Sequence, residues 1–135
     1  SDAMAAKIHA LPEEVTGRTG LFGLIATREG FNNSREWLDE TLRAIESNFD
    51  LLEQQLAEKL PAVRLRRGQS TYLAWLDMRG LGWGDDPSKR ALDAAGVALV
   101  SGLKFGAQGA GHARMNLACS PEMVVEAIDR LAACG

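Results

Sequence analysis

The stretch FGAQGAGHARMNLACSPEMVVEAIDRLAA, Phe105 to Ala133, decides how this chain folds. Gly109, Gly111 and Arg114 occupy the three positions of a G-x-G-x-x-G fingerprint, with an arginine where the last glycine belongs. A dinucleotide loop needs a strand before its glycines and a helix straight after them, because the helix N-terminus supplies the amides that hold the pyrophosphate. Here Arg114-Met115-Asn116-Leu117-Ala118 follows instead, within a predicted strand from Ala113 to Ala118. A Walker A loop is excluded too, since no Gly-Lys-Ser/Thr follows the glycines. What remains is a flexible backbone that brings one guanidinium to the head of a strand. Arginine presents two parallel N–H donors that match a carboxylate, and glycines without side chains would let a small anion approach. The residues alone leave two readings open: a carboxylate fork at Arg114, or a surface arginine beside an ordinary loop.

Outward from this stretch the elements fall into order. Ser120-Pro121-Glu122 opens a final helix whose buried face is Met123, Val124, Ala127, Ile128 and Leu131. Upstream, Val97 to Val100 reads as a brief strand. Before it stands a short helix, capped by Asp86, with Pro87 at its first position and Gly96 closing it. Val63 to Arg66 and Thr71 to Asp77 are β-rich and flank Arg67-Gly68-Gln69-Ser70, a hairpin-length turn. The expected fold class is α+β: a small, mostly antiparallel sheet packed by helices.

Ahead of the sheet, Leu38, Leu42, Ile45, Phe49, Leu52, Leu56 and Leu60 recur at steps of three and four, widened by Trp37, Ala44 and Leu51. This predicts a helix of about 39 Å, opened by Asn33 or Ser34 and ending at Pro61. Such a helix is longer than the core of so small a domain, so it is expected to bridge two bodies. Leu11 to Phe31 is broken by Gly17, Gly20, Gly23 and Gly30 and reads as a connector, with short helical turns expected at Pro12-Glu13-Glu14 and Phe22 to Arg28. The division expected is 1–3, 4–33, 34–60 and 61–135: a remnant of tag cleavage, a linker, the long helix and a small α+β domain. Ser1-Asp2-Ala3 before Met4 carries the first of these, and with it the expectation that the chain is a piece of something longer.

With 46% hydrophobic and 24% charged residues the composition is that of a globular domain. A net charge of −3 gives no basic surplus for nucleic acid or an anionic membrane. No apolar run approaches the roughly 20 residues of a membrane span and no signal peptide opens the chain, so a cytoplasmic location is expected. Cys119 and Cys134 have no metal spacing, and His9 and His112 stand apart from any acidic cluster, so no metal site is expected. Cys119 precedes a helix start, a setting that can lower a thiol pKa, but no general base accompanies it.

Taken in order, QSTYLAWLDMRGLG (Gln69 to Gly82) and AGVALVSGLKFGAQGAGHARMNLACSPEMVVEAIDRL resemble the C-terminal small domain of fold-type I pyridoxal-phosphate enzymes. These are the class I/II aminotransferases, and the likeness is to their cystathionine β-lyase (C–S lyase) branch. LPEEVTGRTGLFGLIATREGFNNSREWLDETLRAIESNFDLL is similar to that branch's linker and long interdomain helix, so the likeness runs from about Ile8 onward. It implies that Arg114, the arginine of an R-x-N motif, binds the α-carboxylate of an amino-acid substrate, with a structural Asn116. It also implies that Arg18 to Gly23, and Thr19 in particular, approach the cofactor phosphate across a homodimer.

One departure limits what the resemblance implies. The lysine that carries the cofactor sits, in the family, in an S-x-x-K segment, and none of Lys7, Lys59, Lys89 or Lys104 fits one. The aspartate for the pyridine nitrogen and the aromatic over the ring are likewise not here. The chain is therefore expected to hold no pyridoxal phosphate alone and to be inactive, its partner being a cofactor-binding large domain. The alternative expectation is a freestanding module that captures an amino acid or other carboxylate through Arg114 and regulates a partner.

Overall fold

A computed structural model describes residues 1–12, 15 and 20–134. Its chain divides into two compact units, Ser1–Glu40 and Thr41–Gly135.

The first unit holds α1 (Asp2–His9), α2 (Leu21–Asn33) and the first turns of α3 (Arg35–Lys59). The glycine-broken connector expected over this region is in fact helical from Leu21, and α2 passes through Gly23 and Gly30 without a break. A glycine inside a helix costs about 1 kcal/mol relative to alanine, which lowers helix stability without forbidding it. Nothing on α2 is buried: Phe22 is 86% and Phe31 89% exposed. The turn expected at Pro12-Glu13-Glu14 lies outside the described residues. Ser34, not Asn33, stands at the N-cap of α3: its carbonyl accepts the Leu38 N–H at 3.0 Å, while the Asn33 amide donates back to Glu29 within α2.

In the second unit α3 buries one stripe, Phe49, Leu52 and Leu56, continued by Leu60 just past its end. The predicted stripe is thus correct from Ile45 onward, whereas Leu38 and Leu42 stay exposed. The sheet is β1 (Arg64–Arg66), β2 (Leu73–Asp77), β3 (Val100–Ser101) and β4 (His112–Asn116), ordered β1-β2-β4-β3 with every pair antiparallel. Alternation along the strands sends Ala74, Leu76, Ala113 and Met115 into the core. There they meet Leu52 and Leu56 of α3, Ala91 of α4 (Pro87–Ala95), and Val124, Ile128 and Leu131 of α5 (Pro121–Ala132). The fold is α+β, as expected.

Where strand bounds differ from expectation, a local hydrogen bond or torsion explains it. Thr71 has a φ of 79°, a left-handed conformation that no β-branched residue keeps inside a strand, so β2 starts at Leu73. The Val97 N–H bonds back to the Ala91 carbonyl at 3.0 Å, and that of Gly96 to Leu92 at 3.0 Å, which closes α4 and leaves only Val100 and Ser101 to pair with β4. Asn116 Oδ1 accepts the Ala118 N–H at 2.8 Å and turns the chain out of β4. The Asp86 carboxylate, at the N-cap of α4, accepts the Ser88 hydroxyl at 2.6 Å.

One buried polar side chain was not anticipated. Asn48 on α3 donates to the carbonyls of Leu117 at 2.9 Å and Cys119 at 2.8 Å. It satisfies the backbone just where β4 gives way to α5, and so fixes the long helix to the exit of the strand that carries Arg114.

Candidate functional site: the open face of the sheet

The alternation that buries Ala113 and Met115 points His112 and Arg114 to the opposite face of the sheet. Register then decides their neighbours. Arg114 lies across from Trp75 on β2 and Val100 on β3, and His112 across from Asp77. Arg66 of β1 pairs with Trp75, and Arg64 with Asp77, so the same face continues outward as a basic edge.

Around Arg114 the side chains form a connected aromatic group. The Arg114 Cζ stands 5.0 Å from the centroid of the Phe105 ring. Phe105 meets Trp75 edge to face, with centroids 5.5 Å apart at 79°. Trp75 in turn stacks on His112, 5.6 Å apart at 21°. His112 is fixed from behind: its Nδ1 donates to the Ala110 carbonyl at 2.8 Å, which leaves Nε2 turned toward Asp77 Oδ1 at 3.9 Å.

Asp77 is occupied by Arg79, which donates through Nε at 2.9 Å and through its terminal nitrogen at 2.7 Å. This fork, with the Arg79 backbone N–H, holds the Asp77 carboxyl far below the ordinary carboxylate range against the opposing effect of burial. A depressed carboxylate stabilises the fold fully above its unfolded pKa, near 4, and less and less as the pH falls below it. Asp77→Asn is accordingly expected to flatten the loss of stability between pH 4 and pH 2 and to leave its neutral-pH shape unchanged. Urea unfolding across that range measures it, and an unaltered acid limb contradicts it.

Arg114 differs from Arg79. Its Nε is buried with no hydrogen-bond acceptor, and among the described residues it makes no ion pair. A buried donor without an acceptor costs about 1–3 kcal/mol. Two concavities lie elsewhere on the second unit, one apolar between Val97 and α5, the other polar beside Arg79, and Arg114 lines neither. It stands on the open face of the sheet.

The glycines do something other than expected. A Cβ on Gly102 would stand 2.2 Å from the Gly109 carbonyl oxygen, and one on Gly109 2.0 Å from that of Gly102. The loop is folded against itself in two 3-10 turns, Gly102–Phe105 and Ala107–Gly109, and its glycines admit its own backbone. Gly111, with a φ of 72°, packs its bare Cα on the Arg79 side chain.

The other residues singled out in the sequence are soon placed. Lys104 and Lys89 are exposed, and Lys59 is paired with Asp129. Burial pushes the Cys119 thiol above its usual range, the reverse of what a helix start can do. Thr19 lies outside the described residues. Among the described residues no group of three or more His, Cys, Asp or Glu could hold a metal ion, and no helix is long and apolar enough to cross a membrane. Among the described residues, Arg114 and the rings beside it supply no amine that could hold pyridoxal phosphate covalently, so this group does not fit that cofactor. Sequence reasoning missed Trp75, Phe105 and His112 as companions of Arg114. The alternation in Leu73-Ala74-Trp75-Leu76-Asp77 marks one face for Trp75 and Asp77, but only strand pairing says which residue stands across from them.

No family model matches the chain. It is 40% identical over 144 residues to a "Putative cystathionine beta-lyase" of Mycobacterium tuberculosis, an alignment that covers 94% of this chain and 35% of that protein. It is 31% identical over 118 residues to cystathionine beta-lyase PatB of Bacillus subtilis, covering 87% of this chain and 30% of PatB. Among solved structures, a "putative plp-dependent beta-cystathionase" of Corynebacterium diphtheriae superposes with a TM-score of 0.91 at 30% identity, over 98% of this chain and 35% of that one. The fold is thus that of the small domain of fold-type I pyridoxal-phosphate enzymes, the aminotransferases and C–S lyases. In sequence the chain is similar to the cystathionine β-lyases among these enzymes, and it spans about a third of the length of the curated relatives it matches.

Proposed function

We propose that the chain is the C-terminal portion of a pyridoxal-phosphate-dependent C–S lyase or aminotransferase, and that Arg114 grips the α-carboxylate of its amino-acid substrate. In this reading residues 4–33 are a linker, 34–60 the interdomain helix and 61–135 the small domain. The remaining two thirds of the enzyme carry the cofactor. In the same reading the intact protein is a cytoplasmic homodimer. The observation that carries the proposal is Arg114 itself, a guanidinium with a buried, unanswered Nε on an open face.

Pyridoxal phosphate, when bound in the intact enzyme, supplies an electron sink for the negative charge left at Cα. What this chain adds is placement. A carboxylate held on two parallel N–H donors fixes one end of the substrate and so limits how its Cα bonds can turn, and such orientation contributes to rate without any chemistry by the arginine. The apolar rings beside Arg114 exclude water from one side of that pair, which strengthens it.

The test compares two preparations. The intact polypeptide is expected to retain pyridoxal-phosphate absorbance and either to release a thiol from a β-thioether amino acid or to pass its amino group to a keto acid. The 135-residue chain is expected to do neither and to lose the cofactor on dialysis. Cofactor absorbance that survives dialysis of the short chain overturns this reading.

A further inference from the structure

We propose that Phe105 is the positioning residue of the Arg114 guanidinium, braced by Trp75 and His112, and that the glycine loop exists to deliver its ring. The proposal rests on the reading of Arg114 as a carboxylate fork.

A guanidinium has two distinct surfaces. Its faces attract a π-cloud, while its in-plane N–H edges donate hydrogen bonds. An arginine that must receive an anion cannot be fixed through its edges by an acid of its own chain, because that acid would occupy the fork. Arg67, Arg79 and Arg130 are fixed in that way, on Asp50 with Glu46, on Asp77 and on Glu126. Arg114 carries its Cζ over the Phe105 ring at 5.0 Å, and no acid among the described residues occupies its fork.

The ring needs a rigid mount, since Phe105 is 47% exposed and no core encloses it. Two features supply one. Trp75 meets it edge to face and is stacked on His112, which the Ala110 carbonyl anchors at 2.8 Å. The loop itself closes where Gly102 and Gly109 touch, with Phe105 at the end of the first 3-10 turn. A half-exposed phenylalanine on a self-locked loop adds little to the core. It makes physical sense as a platform that lowers the side-chain entropy Arg114 would otherwise lose on gripping a ligand.

The test has one structural readout and one kinetic. In the 135-residue chain, the Arg114 Hε resonance is expected upfield of its ordinary position through the ring current. Phe105→Leu should return it to the ordinary position, and Phe105→Tyr should keep it shifted. In the intact enzyme, Phe105→Leu should raise KM for the amino acid by about three- to tenfold with kcat changed less than about twofold, and Phe105→Tyr should restore KM. An Hε that does not respond to Phe105→Leu, or a KM that does not, overturns the proposal. A different result, Arg114→Ala leaving KM unchanged while the Hε of the parent chain is shifted, would sink the carboxylate reading and leave the ring contact standing.

Discussion

Replacing Arg114 with alanine in the intact enzyme is expected to lower kcat/KM for its amino-acid substrates by about 10- to 150-fold. That range corresponds to about 1.5–3 kcal/mol, the usual worth of a hydrogen bond to a charged group. The loss should fall mainly on substrate binding and orientation, because Arg114 touches no reacting bond in this reading. Arg114→Lys should recover only part of it, since an ammonium offers a point charge where a planar fork is needed. Stability should hardly change, or should rise slightly, because the variant removes a buried donor that nothing in the chain answers. Steady-state kinetics beside a thermal melt separate the two effects. Kinetics equal to the parent's would remove Arg114 from the site.

Gly102→Ala is expected to be among the most damaging small substitutions in the second unit. The added carbon would stand 2.2 Å from the Gly109 carbonyl oxygen, 2.7 Å from that of His112 and 3.0 Å from the His112 Cβ. Two of these three are backbone atoms, which cannot swing aside as a long side chain does. Relief requires the loop to separate from the start of β4, and with it the Phe105 platform. A loss of at least about 3 kcal/mol is expected, in the range reserved for strain at tightly packed positions. For a unit of this size that lowers Tm by more than about 10 °C. Tryptophan fluorescence suits the measurement, as Trp83 is buried and Trp75 stands beside the loop. A melt within about 2 °C of the parent would show that the glycine contact is dispensable.

Much of this architecture was legible in the residues because it is local. The stripe from Ile45 to Leu60 needs only a period of 3.6. The closing of α4 at Gly96 needs only a left-handed residue after a helix, and Gly96 has a φ of 65°. The rejection of a nucleotide loop needed only the strand after the glycines, and β4 is there. What was not legible depends on pairing across the sequence. Nothing in Trp75 announces that Arg114 will stand opposite it, 39 positions on, since that is a property of the β2–β4 register. The glycines of the loop were read as room for a ligand, whereas they make room for one another. Both are backbone contacts between residues several positions apart, and side-chain pattern carries no trace of them. The helix through Gly23 and Gly30 escaped for the converse reason: local propensity argued against it, and propensity is a weak prior.

The alternation on β4 ties two failures together. Met115 and Arg114 are neighbours in sequence but belong to opposite faces, so a slip of one residue against β2 would swap them. Such a molecule would turn a bare thioether to water and sink a cation among Leu76, Val124 and Ile128 at the same moment. No register of β4 keeps Arg114 on the open face while turning Met115 away from the interior. A misregistered copy thus shows its error on its own surface, as exposed apolar area that a cell's proteases recognise without any knowledge of its chemistry.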